Sequence, residues 1–110
     1  MNRFLAYELA LEIARRLAAV LPHLKANDPD LADQAYRACK SIGLAVAEGG
    51  RRGGKDRSYH FRIAAGSAQE LLMALELAAT FGHLDGGTVE PLRKVIDREL
   101  GLLWGLTRPR

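Results

Sequence analysis

Three clusters of helix-breaking residues divide the 110-residue chain, and their positions constrain its fold more than any other feature. Pro22 and Asn27-Asp28-Pro29 form the first, Gly49-Gly50 and Gly53-Gly54 the second, Gly82 and Gly86-Gly87 the third. Proline lacks the amide hydrogen that a helix interior uses, and glycine loses more backbone freedom than any other residue when fixed there. Between the clusters nothing alternates with period two, and apolar residues recur at helical spacing. Helices are therefore expected over about residues 4–21, 29–48, 56–81 and 89–106. Asp28 is placed to cap the second with Pro29 at its first position, Gly49 to end it, Gly82 to stop the third and Thr88 to cap the fourth, with Pro91 in its first turn.

Helices of this length are roughly 27–39 Å long, and short links between them force antiparallel neighbours. The expected fold is all-α: one domain over residues 1–110, an antiparallel up-down-up-down four-helix bundle. Aromatics are only 6% of the chain, so the core must be built from Ala, Leu, Ile and Val. Small residues at Ala35, Ala38, Cys39 and Ala45 face Ala64, Ala65, Gly66, Ser67 and Ala68 across the expected contact of the second and third helices, and Gly66 suggests a close backbone approach. No apolar run approaches the ~20 residues of a membrane span, the N-terminus has no signal-peptide pattern, and the single Cys39 cannot form an intrachain disulfide, so a cytoplasmic protein is expected.

Several helices carry more apolar surface than one small bundle can hide. In the first, Phe4, Leu11, Ala14, Ala18 and Leu21 form one stripe and Leu5, Leu9, Ile13, Leu17 and Val20 another. Leu71 to Phe81 has only Glu76 and Thr80 as polar interruptions, and Leu102, Leu103, Trp104 and Leu106 leave no polar face at the end of the fourth helix. A helix apolar nearly all round is buried nearly all round. The chain is accordingly expected to be a homo-oligomer, with Leu102, Leu103, Trp104 and Leu106 at the interface.

The stretch AEGGRRGGKDR, Ala47 to Arg57, matches all but the last position of the phosphate-cradling G-x-x-x-x-G-K-[ST] loop. That loop needs a strand before it and a hydroxyl after its lysine. Here a helix precedes it, presenting carbonyls, and Asp56 stands where the hydroxyl belongs. The stretch reads instead as a basic hinge. Arg51, Arg52, Lys55, Arg57 and Arg62 cluster there with His60, and Asp56 is the only acid between Arg51 and Arg62. A solvated loop at a helix C-terminus accounts for such charges. So does a flexible cationic surface for RNA or DNA, given a net charge of +3; on that reading, affinity falls steeply with salt, and less steeply once Arg51 and Arg52 become Ala. Tyr59 and Phe61 follow closely; either ring offers a face on which a base can stack, but at helical spacing both are expected in the core.

Ser41 to Leu71, SIGLAVAEGGRRGGKDRSYHFRIAAGSAQEL, resembles the signature of small bacterial four-helix bundle proteins first noticed as products of intervening sequences in 23S ribosomal RNA genes. The accessory variability protein of diversity-generating retroelements is a relative. The matching pieces are Ser41-Ile42, Ala47-Glu48-Gly49, Arg52, Phe61, Ala64, Gly66-Ser67 and Glu70-Leu71, with looser likeness in FLAYELALEIA and LELAATFGHL. Ala45 and Gly43 depart from the Asn and Pro usual in the family. The resemblance implies a cytosolic, non-enzymatic homopentamer. It also implies a nucleic-acid partner and a reverse transcriptase partner for some members.

The resemblance also picks out Glu48 and Glu70. Antiparallel registration about the hinge sets Arg57 level with Glu48 and Arg37 level with Glu70, giving two structural ion pairs, with Arg52 also four residues past Glu48. A general acid–base pair is the rival reading, but no nucleophile or metal cluster accompanies them. His23, His60 and His83 lack the Glu-x-x-His spacing of bundle di-metal sites, so no metal or other cofactor is expected. Cys39 reads as a small buried hydrophobe. The tail from Arg108 to Arg110 is expected to fray. Function is expected to be that of an oligomeric scaffold or accessory protein that binds nucleic acid through the hinge, or else of a purely structural or protein-interaction module.

Overall fold

Asp28 is the only residue between the first two helices of the computed structural model, which describes residues 2–108. Four helices follow one another: α1 Asn2–Asn27, α2 Pro29–Arg51, α3 Gly54–Thr80 and α4 Gly86–Thr107. No strand occurs among the described residues. They form an elongated bundle of 43 × 21 × 19 Å, in which α2 packs on α1 and α3, and α4 on α3 and α1.

Pro22 does not break α1. The helix continues to Asn27 because Leu24, wholly buried, adds another turn to its core face. The break falls at Asp28, whose Oδ1 accepts from Leu31 N–H at 3.1 Å while Pro29 needs no partner in the first turn of α2. Asp28 Oδ2 also lies 3.3 Å from His83 Nε2, tying this junction to the α3–α4 connection.

Gly49 does not end α2 either; the helix runs two residues further, to Arg51. The glycine serves another purpose, since a Cβ there would lie 2.8 Å from the Phe61 ring. Phe61 is wholly buried, and Gly49 lets its ring sit against the α2 backbone. Gly66 was the expected point of close approach, yet it is exposed and, beyond its chain neighbours and its own helix backbone, no described atom comes within 4 Å of where its Cβ would be. The neighbours that do pack are Ala64, Ala65, Ser67 and Ala68, on the opposite side of α3.

The end of α3 follows the helix-stop logic of the sequence. Gly82 takes φ +77°, with Gly82 N–H donating to Ala79 O at 3.1 Å and His83 N–H to Ala78 O at 2.8 Å, a Schellman closure that satisfies two terminal carbonyls. The start of α4 does not follow the expectation of a Thr88 cap. Asp85 caps it instead, accepting from Gly87 N–H at 3.1 Å. Pro91 consequently sits a full turn inside.

The core is aliphatic. Ile13, Leu17, Leu24, Ile42, Leu71, Leu75, Leu92, Ile96 and Leu103 are its largest aliphatic members, and Phe61 is its aromatic one. Between α2 and α3 the alanines at 35, 38, 45, 64, 65 and 68 bring the helices close enough for Ser67 Oγ to donate to Ser41 Oγ at 2.6 Å.

Candidate nucleic-acid interface

Only Arg52 and Gly53 lie outside helix between α2 and α3. Gly49 and Gly50 belong to α2 and Lys55 to the first turn of α3, so the glycine-spaced stretch makes no loop that could wrap a nucleotide phosphate chain. The turn is closed by charge. Arg52 Nη2 lies 2.8 Å and its Nε 2.9 Å from Glu48 Oε2, while its Nη1 reaches Asp56 Oδ2 at 3.5 Å. Arg51 lies 3.8 Å from the other oxygen of Glu48. The Arg52 hydrogen bond, with help from the charges of Arg51, Arg52 and His60, holds the Glu48 carboxyl below its ordinary range.

Neither cross-helix ion pair forms as the registration suggests. Glu48 is engaged by Arg52 and Arg51 from its own helix end, and the Arg57 guanidinium instead lies 6.0 Å from the centre of the Phe61 ring, within cation–π range. Arg37 pairs with Asp33 one turn back at 2.9 Å, leaving Glu70 beside it in the same α2–α3 groove without an ion pair to it. In both cases partners three or four residues away along the chain win, because no connecting chain has to bend to bring them close.

Lys55, Arg57 and Arg62 point elsewhere. With Gly54, Ser58, Leu106, Thr107 and Arg108 they line a cleft of about 670 Å³ where the start of α3 meets the end of α4. Ser58 Oγ donates to Thr107 O at 3.1 Å, fastening the two helix ends together, and Arg62 Nη1 donates to Ser58 Oγ at 3.4 Å. Sequence reasoning left Arg108 in a frayed tail, whereas it completes this cleft; Pro109 and Arg110 lie outside the described residues. Its role depends on a packing contact across 49 residues, which no local spacing reveals. Tyr59 is also not a core residue. It is 56% exposed and packs edge-on against His60, two positions away from buried Phe61 and hence on the outside of α3.

The sequence model of the 23S rRNA-intervening sequence protein family matches residues 4–105, almost the whole chain. The chain belongs to the 23S rRNA-intervening sequence protein family. No curated protein matches the sequence. Among solved structures, a protein of unknown function from the S23 ribosomal protein family of Bacteroides thetaiotaomicron is similar, with a TM-score of 0.90 at 20% identity over 99% of this chain and 100% of that one. At that identity the likeness bears on the fold. In this member of the 23S rRNA-intervening sequence protein family, the residues that carry the sequence likeness have structural tasks. Glu48 braces the turn, Gly49 admits the Phe61 ring, and Ser67 reaches Ser41.

The apolar surplus is also visible. Leu103 packs wholly within its own bundle, because it shares a core stripe with Leu92 and Ile96, and so cannot serve an interface; Leu102 and Leu106 are half-buried and Trp104 is 41% exposed. The larger apolar surface lies between α1 and α2, where Tyr7, Leu11, Leu21, Tyr36 and Leu44 flank a groove of about 430 Å³. Leu9, Ile13 and Leu17 of the second apolar stripe of α1 supply core, and Leu11, Ala14, Ala18 and Leu21 of the first line this groove, while Phe4 and Leu5 are exposed. Cys39 is buried, which pushes its thiol pKa up. Among the described residues, no three metal-ligating side chains come together and no helix is long and apolar enough to cross a membrane.

One buried acid escaped the sequence reading. Glu99 is wholly buried and neither carboxylate oxygen has a hydrogen-bond partner. Burial pushes its pKa up to about 8, so the group is mostly protonated at neutral pH. The signal was present: Leu92, Ile96, Glu99 and Leu103 are spaced four, three and four apart, the spacing of a core stripe.

Proposed function

We propose that this protein is a non-enzymatic accessory module of the cytoplasm, an antiparallel bundle that assembles into a homo-oligomer and meets nucleic acid through the basic end where α2 joins α3. The antiparallel arrangement is supported by paired levels on α2 and α3: Gly49 lies against Phe61, and Ser41 against Ser67. The observation that carries the binding reading is the gathering of Arg51, Arg52, Lys55, Arg57, Arg62 and Arg108 around one end of the bundle, where among the described residues Glu48 and Asp56 are the acids paired with them. Cations concentrated in this way attract a phosphate backbone, and several subunits would multiply the field.

The test is a fluorescence-anisotropy titration of the protein against a labelled RNA hairpin and duplex DNA at two salt concentrations. Binding that weakens steeply with salt is the expected result, since released counterions drive such contacts. No binding at low salt would overturn it. A second reading, a protein-interaction module without a nucleic-acid role, is favoured by the α1–α2 groove with its exposed Tyr7, Leu11, Tyr36 and Leu44.

A further inference from the structure

The cations at the basic end fall into two groups with different freedom. Arg52 is held between Glu48 and Asp56, and Arg51 lies beside the same Glu48. To meet a phosphate, either side chain must give up or share its carboxylate. Lys55, Arg57, Arg62 and Arg108 are differently placed: among the described residues none of them is paired with a carboxylate. These four line one cleft, and no acidic residue among the described residues lines it with them.

We propose that this cleft between the start of α3 and the end of α4 is a seat for a phosphate group, and that Arg62 and Arg108 are its principal ligands. The inference rests on the nucleic-acid reading for the source of that phosphate, a backbone phosphodiester, and moves the point of contact away from Arg51 and Arg52.

The chemistry follows from the side chains present. An arginine fork offers paired N–H donors that match the oxygens of a phosphate. Arg62 enters from the third turn of α3 and Arg108 from the end of α4, so the two approach the cleft from different helices. Ser58 fixes the spacing between those helices through its bond to Thr107 O. Arg57 is partly committed to the Phe61 ring and Lys55 is an exposed point charge, so both supply field more than geometry. A monoanionic oxygen cluster entering the cleft gains four cations and displaces no existing ion pair. The same anion at Arg52 must compete with two carboxylates already in place.

Two measurements on the full chain separate this inference from the reading it rests on. In the first, inorganic phosphate is titrated at low salt while the backbone amide resonances of Gly54, Lys55 and Ser58 are followed by NMR. Saturable shifts are expected in the wild-type protein, and their loss in an Arg62→Ala, Arg108→Ala double variant. In the second, the RNA hairpin is titrated against that variant and against an Arg51→Ala, Arg52→Ala variant, each with helix content checked by circular dichroism. The cleft variant is expected to bind several-fold more weakly, with a salt slope shallower by about one, while Arg62→Lys with Arg108→Lys recovers much of the affinity. The Arg51, Arg52 variant is expected to change less. If RNA binding is lost only in the Arg51, Arg52 variant, the seat is overturned and the nucleic-acid reading stands. If phosphate perturbs the cleft but no RNA or DNA binds, the seat stands and that reading falls. If neither ligand registers, both are overturned.

Discussion

Gly49 and Gly66 show how differently one residue type can act in a helix interior. At Gly49 a methyl group would meet the buried Phe61 ring at 2.8 Å, so Gly49→Ala must displace a ring with no free space around it. A loss of about 1–3 kcal/mol is expected, the usual cost of overpacking, read from the midpoint of urea unfolding. At Gly66 a methyl group meets nothing, and Gly66→Ala is expected to stabilise the protein by up to about 1 kcal/mol through helix propensity and a less flexible unfolded chain. A destabilised Gly66→Ala protein would instead indicate that a second copy approaches α3 there. Glu99 acts through pH. Its folded pKa, about 8, stands above the ordinary value of 4.5, so the unfolded chain releases this proton first as pH rises. Stability from this group is complete below about pH 4.5 and is lost progressively as pH rises to about 8. A tenfold difference in proton affinity between folded and unfolded chain is worth about 1.4 kcal/mol, so the loss is a few kcal/mol. Glu99→Met, which needs no hydrogen bond, is expected to be more stable at neutral pH and to flatten that slope in urea unfolding followed across the window. An unchanged slope would refute the assignment. Glu48 works in the opposite sense: its lowered pKa supplies stability at neutral pH that is lost on acidification.

At the scale of elements, the existence and order of the helices were legible because breaker clusters and apolar spacing are local signals. Their ends were not, because ends are settled by what the last turn can bury or bond. Leu24 carries α1 past Pro22, and Gly49 stays helical because Phe61 needs its bare backbone. Asp28 was readable as a cap because its partner is three residues away. Asp28→Ala is expected to cost about 0.5–2 kcal/mol, with the added loss of the His83 contact, measured as a lowered thermal midpoint. The candidate site was legible in composition but not in arrangement. The cluster of Arg51, Arg52, Lys55, Arg57 and Arg62 can be read from the string, whereas its division into paired and unpaired cations depends on Glu48, Asp56 and the arrival of α4. Arg108 was missed for the same reason, because it acquires its meaning from α3, whereas Glu99 was marked by its own spacing with Leu92, Ile96 and Leu103 and was passed over.

For the molecule as a whole, the apolar groove between α1 and α2 argues for self-association more strongly than the end of α4 does. Multi-angle light scattering at micromolar concentration is expected to give a mass several times that of the 12.1 kDa chain, and Tyr36→Glu with Leu44→Glu to reduce it. A monodisperse species at the chain mass would overturn the homo-oligomer. The brevity of the connections has a different consequence, in kinetics. One residue joins α1 to α2 and two join α2 to α3, so most helix pairs can find each other by closing small loops, and topologies rich in such contacts fold in microseconds to milliseconds. The packing of α1 on α4 is the exception, since it joins the two ends of the chain. That seam should be the last to zip during folding and the first to breathe in the native protein, and the fastening of Ser58 to Thr107 would then be felt in how often the far end of the fourth helix lets go.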